Sequence, residues 1–281
     1  MFVDSHSHIF DASHLSGAFI DDAKRSWGRK ASGMRATPED HKAAMHSVDK
    51  VIVFGLQAKR TGFFVPNSYV ADYAGRNVDR VIGFASVDPN AKHAEKELRQ
   101  CVAELGLRGL KLSPTYQHFD PMSENARRIF GTAEELEIPV VIHQGATFVR
   151  NAPLKLANPT MLEEVALEFP DLKMIVAHLG HPWEDETAVL VRKQPNIYTD
   201  ISATHPRLFR LYNKLMTFKE YCVLDKIVFG SDFPFFTPEE NVKGIKEVNS
   251  LAKRCSLPTI PESAINAIIY ENSARVFRSI L

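Results

Sequence analysis

A chain of 281 residues, 44% hydrophobic and 24% charged, is large enough to bury a sizeable core as one large domain or two small ones. Lysine plus arginine and aspartate plus glutamate both total 34, so no net charge draws the chain to nucleic acid or to an anionic membrane. No apolar run is long enough to span a bilayer, and Asp4, His6 and His8 stand where a signal peptide needs apolar residues, which predicts a cytoplasmic protein.

Eight short apolar segments rich in Val and Ile recur along the chain: MFVDSHS, KVIVFGL, RVIGFASVDP, LRGLKLSP, IPVVIHQG, LKMIVAHLG, NIYTDIS and KIVFGSDFP. Each reads as a strand. Helical spacing fills most of the gaps, as in AEKELRQCVAELG from 94 to 106 and NARRIFGTAEELE from 125 to 137. Continuous apolar strands alternating with amphipathic helices predict a parallel sheet buried on both faces. Eight such units in 281 residues fit a single α/β domain over 1–281, a closed (β/α)8 TIM barrel, better than an open doubly wound sheet. No Gly-x-Gly-x-x-Gly follows the first strand to support dinucleotide binding. Residues 11–37 show no clear periodicity and are expected to hang over the barrel mouth as a lid. The ending ESAINAIIYENSARVF, 262–277, reads as one closing helix or a pair. Cys101, Cys222 and Cys255 are far apart and are expected to be buried thiols, with neither a disulfide framework nor a cysteine-bound zinc site.

In such a barrel the C-terminal ends of the strands share one face, where active sites sit. The first strand ends at His6 and His8, which point the same way because side chains on a strand repeat every two residues. The fifth ends at His143, the sixth at His178 and the eighth at Asp232. Imidazole nitrogens with a carboxylate suit a divalent metal ion, Zn2+ first, with Mn2+, Fe2+ or cobalt as alternatives.

The motifs DSHSHIF, VVIHQG, VAHLGHPWEDE and VFGSDFPF, together with LRGLKLSP and the ENSARVF ending, resemble the signatures of the amidohydrolase superfamily, specifically its amidohydrolase-related branch. That branch includes aminocarboxymuconate-semialdehyde decarboxylase, resorcylate-type decarboxylases and pyrone-dicarboxylate lactonase. The resemblance implies a distorted barrel with one metal ion held by His6, His8, His143 and Asp232, and with His178 holding the water or polarising a substrate carbonyl. It also implies a small carboxylated substrate and, as in many relatives, a homodimer. A bound divalent cation lowers the pKa of its water from about 16 to about 7, and Asp232 beside it would take the proton as general base. His178 would orient the nucleophile or stabilise the developing oxyanion. Asp4 is a candidate for holding a histidine in one tautomer.

Lys111 ends the fourth strand, where binuclear members of the superfamily carry a carboxylated lysine; in this branch it is expected to face an anionic substrate. Arg60, after the second strand, and Arg150, after the fifth, are candidates for gripping a substrate carboxylate. Gln144, Thr147 and His118 are further candidates for polar contacts. His181 in HLGHPW stands where relatives often have a small residue and is read as an added substrate contact.

Three functions stay open at this point. The first expectation is hydrolysis of a lactone, ester-like or amide-like bond by metal-activated water. The alternative is non-oxidative decarboxylation of a carboxylated ring or muconate-type substrate with the same metal. The third is metal or ligand binding without catalysis, against which the joint presence of His178 and Asp232 argues.

Overall fold

In the computed structural model, which describes residues 1–28 and 35–281, the eight apolar segments become the eight parallel strands of a (β/α)8 barrel. In chain order the strands are β1 (Val3–His8), β2 (Lys50–Phe54), β3 (Gln57–Ala58), β4 (Phe63–Phe64), β5 (Val81–Ser86), β6 (Leu110–Leu112), β7 (Val140–Ile142), β8 (Met174–Val176), β9 (Ile197–Asp200) and β10 (Ile227–Val228). β3 and β4 form a small antiparallel hairpin beside the barrel. The other eight lie in the order β1-β2-β5-β6-β7-β8-β9-β10, so each strand pairs with the next barrel strand in the chain.

The circle closes just beyond β10. Ser7 bridges Phe233 in parallel, Ser5 N donates to Phe229 O at 3.0 Å, and Asp232 N donates to His6 O at 2.8 Å. The segment that carries Asp232 is thereby zipped onto the strand that carries His6 and His8. Gly230 permits this approach, because a Cβ there would come within 2.6 Å of His6 Cβ.

Both faces of the strands are buried, which is why they read as unbroken apolar runs. Outward side chains such as Leu110 and Leu112 pack under the helices. Inward ones, including Phe54, Phe84, Val141, Ile175 and Val228, fill the lower barrel. Val276, Phe277 and Ile280, at and just beyond the end of the second of the two C-terminal helices, Glu262–Tyr270 and Asn272–Val276, plug its floor. With the lower layers apolar, the inward polar residues His6 and Lys111 sit above them, toward the mouth.

The lid segment is more regular than its composition implies. Gly17–Trp27 is a helix, capped where Ser16 Oγ accepts from Phe19 N at 3.2 Å and ended by Gly28 at φ 57°. Its inward stripe, Phe19, Ala23 and Trp27, recurs every four residues and is too narrow to stand out among polar neighbours. Asp22 ties the helix down by accepting from Arg150 N at 2.8 Å. Residues 29–34 of the expected lid lie outside the described residues. None of the three cysteines is paired; Cys101 is buried, but Cys222 and Cys255 are exposed, each just past a helix end. Among the described residues no helix is long and apolar enough to cross a membrane.

Ser7, between the two histidines of β1, faces outward into a buried network. It donates to Ile52 O at 2.8 Å and accepts from His41 Nε2 at 2.9 Å, while His41 Nδ1 accepts from the Tyr73 hydroxyl at 2.9 Å. Burial pushes His41 down to about 3, so the ring is neutral in the fold. In the unfolded chain it protonates below about pH 6.5, so the unfolded state binds the proton first as the solution is acidified. The stability His41 contributes is therefore lost as pH falls from about 6.5 towards 3, at up to roughly 1.4 kcal/mol per pH unit. His41→Gln removes that share. In metal-stripped protein, urea unfolding of wild type should lose stability with acid more steeply than the variant by about this slope; parallel pH profiles would contradict the assignment.

Candidate active site

The strand ends bring four histidines, Asp232 and Lys111 to one place. One nitrogen each of His6 and His178 and one oxygen of Asp232 lie within 4.8 Å of one another. His6 Nε2 is 3.4 Å and His8 Nε2 3.5 Å from Asp232 Oδ1. The His143 ring stands edge-on to His178, with centroids 5.0 Å apart, and its Nε2 lies 3.3 Å from Ala146 O. The tight group is thus His6, His178 and Asp232, with His8 and His143 beside it. His178, which the resemblance places beside the metal with a nitrogen free for water or a substrate carbonyl, has a left-handed backbone, φ 58°, just past the end of β8. Asp232 is likewise left-handed, at φ 63°. Such conformations cost free energy and concentrate at functional sites.

The outer nitrogens of the tight group are occupied. His6 Nδ1 donates to Asp200 Oδ2 at 2.7 Å, and His178 Nδ1 faces Ser202 Oγ at 2.7 Å. Each ring therefore presents Nε2 inward as an acceptor, which in His6 is met by Lys111 Nζ at 3.3 Å. Burial pushes His178 down to about 4, which keeps its Nε2 unprotonated at neutral pH. This donor set fits a divalent ion: two neutral imidazoles and a carboxylate converging in a buried place, with the orienting partners already present.

Asp200 is the residue that the strand pattern left unmarked. It ends β9, is fully buried, and accepts from His6 Nδ1, from the backbone N–H groups of His178 and Ser202, each at 3.0 Å, and from the Ser202 hydroxyl. Burial raises its affinity for a proton, but the hydrogen bonds it accepts from His6 and Ser202 outweigh this and hold the carboxyl below its usual range. Asp4 does not orient a histidine ring. Its Oδ1 accepts from the backbone of His6 at 3.1 Å and of Ser231 at 3.0 Å, stitching β1 to the last strand. Burial pushes this carboxyl up to about 7.

Lys111 is 2% exposed, with its Nζ 4.3 Å from the centre of the Phe54 ring and 3.3 Å from His6 Nε2. Burial pushes the amine down to about 8.

Above this floor opens a cavity of about 340 Å³, the size of a single-ring ligand site. Its walls include Phe19 and Trp27 of the lid helix with Phe63, Tyr116, Phe148 and Phe235. Thr147 also lines it and donates to the Tyr116 hydroxyl at 2.5 Å. His181 lines the mouth, its Nδ1 2.9 Å from Glu184 Oε1, which Lys214 Nζ meets at 2.6 Å.

Arg60 and Arg150, expected to grip a substrate, do not line this cavity. Both are exposed; Arg60 offers its carbonyl to Asn151, and Arg150 uses its backbone N–H on Asp22. The cations at the mouth are Arg207, Arg210 and Lys214, from the helix after β9. Gln144 holds the loop after β7 through Leu156 O at 2.7 Å and Asn158 O at 3.1 Å, and His118 ends a short helix; neither lines the cavity.

Comparison with known proteins agrees with this architecture. The amidohydrolase family model matches residues 3–279. The γ-resorcylate decarboxylase of Rhodococcus jostii (strain RHA1) is 24% identical over 263 residues, 75% of each chain. Among solved structures, a probable 2-pyrone-4,6-dicarboxylic acid hydrolase from Acinetobacter baumannii with citric acid bound superposes with a TM-score of 0.68 at 18% identity, covering 99% of both chains. A dihydroxybenzoic acid decarboxylase from Polaromonas, with bound manganese and the inhibitor 2-nitroresorcinol, gives 0.66 at 17% identity, over 99% of this chain and 96% of that one. The family match runs from the strand that carries His6 to the helices that plug the floor, and the chain belongs to the amidohydrolase family, as an enzyme of the amidohydrolase superfamily.

Proposed function

We propose that the protein is a metal-dependent, non-oxidative decarboxylase of a small carboxylated ring. The observation that carries this reading is the division of the cavity: aromatic walls sized for one ring, above a floor where the titratable groups gather. The resemblance to γ-resorcylate decarboxylase and to the manganese-bound dihydroxybenzoic acid decarboxylase points the same way.

His6, His178 and Asp232 would hold one divalent ion, with His8 and His143 able to complete the set. Zinc and manganese both suit these donors. Such an ion supplies positive charge that fixes a carboxylate or ring oxygen at the floor. Lys111 adds a second positive group there. The aromatic walls keep water from the carboxylate and so favour its departure as neutral carbon dioxide. When the carbon–carbon bond breaks, the electron pair stays on the ring carbon, and Asp232 or an adjacent histidine relays a proton from solvent to that carbon.

Lactone hydrolysis by metal-activated water is the second reading, favoured by the full-length similarity to the pyrone-dicarboxylate hydrolase. A panel of carboxyl-labelled hydroxybenzoates and pyrone carboxylates separates the two. Decarboxylation releases labelled carbon dioxide in a 1:1 ratio to the shortened ring. Ring opening with all carbon retained would overturn the decarboxylase reading in favour of hydrolysis.

A further inference from the structure

The charge of the cavity is unbalanced. Its lining carries Lys111 at the floor and Arg207, Arg210 and Lys214 at the mouth, against Asp232 as the one carboxylate among the described lining residues. The chain as a whole is neutral, with 34 residues of each sign, so the excess is local. Lys214 is accounted for by its 2.6 Å contact with Glu184, which His181 shares. Arg207 and Arg210 have no ion-pair partner among the described residues, and both are exposed towards the cavity opening.

Helix stability does not explain these two arginines. Arg207 is the N-cap residue of the helix Leu208–Glu220 and Arg210 lies in its first turn, which contains no acidic residue; no side chain caps this end. The N-terminus of a helix is its positive end, where cations are unfavourable and Asp or Glu is preferred. An arrangement that opposes local electrostatics persists where it serves a site. Trp27, which also lines the cavity, adds an indole N–H that is buried without an acceptor among the described residues.

We infer that the substrate is a dianion: a ring with one carboxylate at the floor and a second acidic group held at the mouth by Arg207 and Arg210. This rests on reading the cavity as the substrate site. The planar guanidinium fork suits a carboxylate, and a pair of them at the mouth of a narrow aromatic cavity fixes both the orientation of the ring and which end of it reaches the floor. The two arginines are specificity-determining residues, and the carboxylate they hold is not the one that reacts.

The test uses unreactive probes, so that it does not depend on the proposed chemistry. Metal-loaded protein is titrated with benzoate and with isophthalate (benzene-1,3-dicarboxylate) at low salt. Isophthalate is expected to bind roughly 10- to 100-fold more tightly. That preference should shrink as salt is raised. Arg207→Gln with Arg210→Gln should bind the two probes about equally, while Arg207→Lys with Arg210→Lys keeps part of the preference. Because the replaced cations sit at the positive end of a helix, the glutamine variant should melt no lower than wild type, which separates loss of binding from loss of fold. Equal affinity for the two probes in wild type, or an undiminished preference in the glutamine variant, would overturn the assignment. If the preference is present and no ring acid is turned over, the mouth subsite stands and the decarboxylase reading falls. If monocarboxylates release carbon dioxide rapidly and the probes bind alike, the reverse holds.

Discussion

Asp232→Asn lowers kcat/KM by roughly 10³-fold, within the range for removal of a group that handles the transferred proton. The substitution isolates the carboxylate from its scaffold. Asp232 sits at φ 63°, a left-handed conformation that Asn tolerates as readily as Asp, and its backbone N–H, which closes the barrel onto His6 O at 2.8 Å, is retained. The variant therefore keeps its fold and loses the charge that faces His6 and His8. Metal content and turnover should fall together, with little change in the thermal midpoint. Turnover within about tenfold of wild type would remove Asp232 from both of its assigned roles.

Asp200→Asn acts one step further out and should cost roughly 10- to 100-fold in metal affinity or turnover. Asp200 fixes His6 with its Nδ1 protonated and its Nε2 lone pair turned inward. An asparagine cannot keep all of these bonds. If its oxygen stays on the N–H groups of His178 and Ser202, its amide nitrogen faces His6 Nδ1, and two donors meet unless the imidazole proton moves to Nε2. The expected signature is a change of His6 tautomer, visible in the nitrogen chemical shifts of the ring, beside the weaker metal binding. Retention of the tautomer with unchanged metal affinity would show that Asp200 merely fills space.

The barrel is legible in the sequence for a physical reason. A strand buried on both faces must be apolar throughout, and eight such runs stand out between polar turns. His6, His8, His143, His178 and Asp232 are legible because strand ends converge on one face. Asp200 carries the same signal, an acidic residue at the end of NIYTDIS, but its meaning comes from the closing of the circle, which places the end of β9 within reach of His6 on β1.

What lies off the strands is harder to read. Arg207, Arg210 and Lys214 fall three and four residues apart in RLFRLYNK, a spacing shared by any solvated helix face. Arg60 and Arg150 are in loops of the right address, but loop composition does not reveal direction, and both turn away from the cavity. The lid helix hides because a stripe of Phe19, Ala23 and Trp27 offers one apolar residue per turn.

The metal dependence of the reaction is read by a metal titration followed in two ways on the same samples. Chelator-stripped protein is supplied with Mn2+ or Zn2+ in steps, and bound metal and labelled carbon dioxide released from a ring dicarboxylate are followed together. Both should rise in parallel and level off at one ion per chain. Full carbon dioxide release from the stripped protein, or metal bound without any change in turnover, would contradict that dependence.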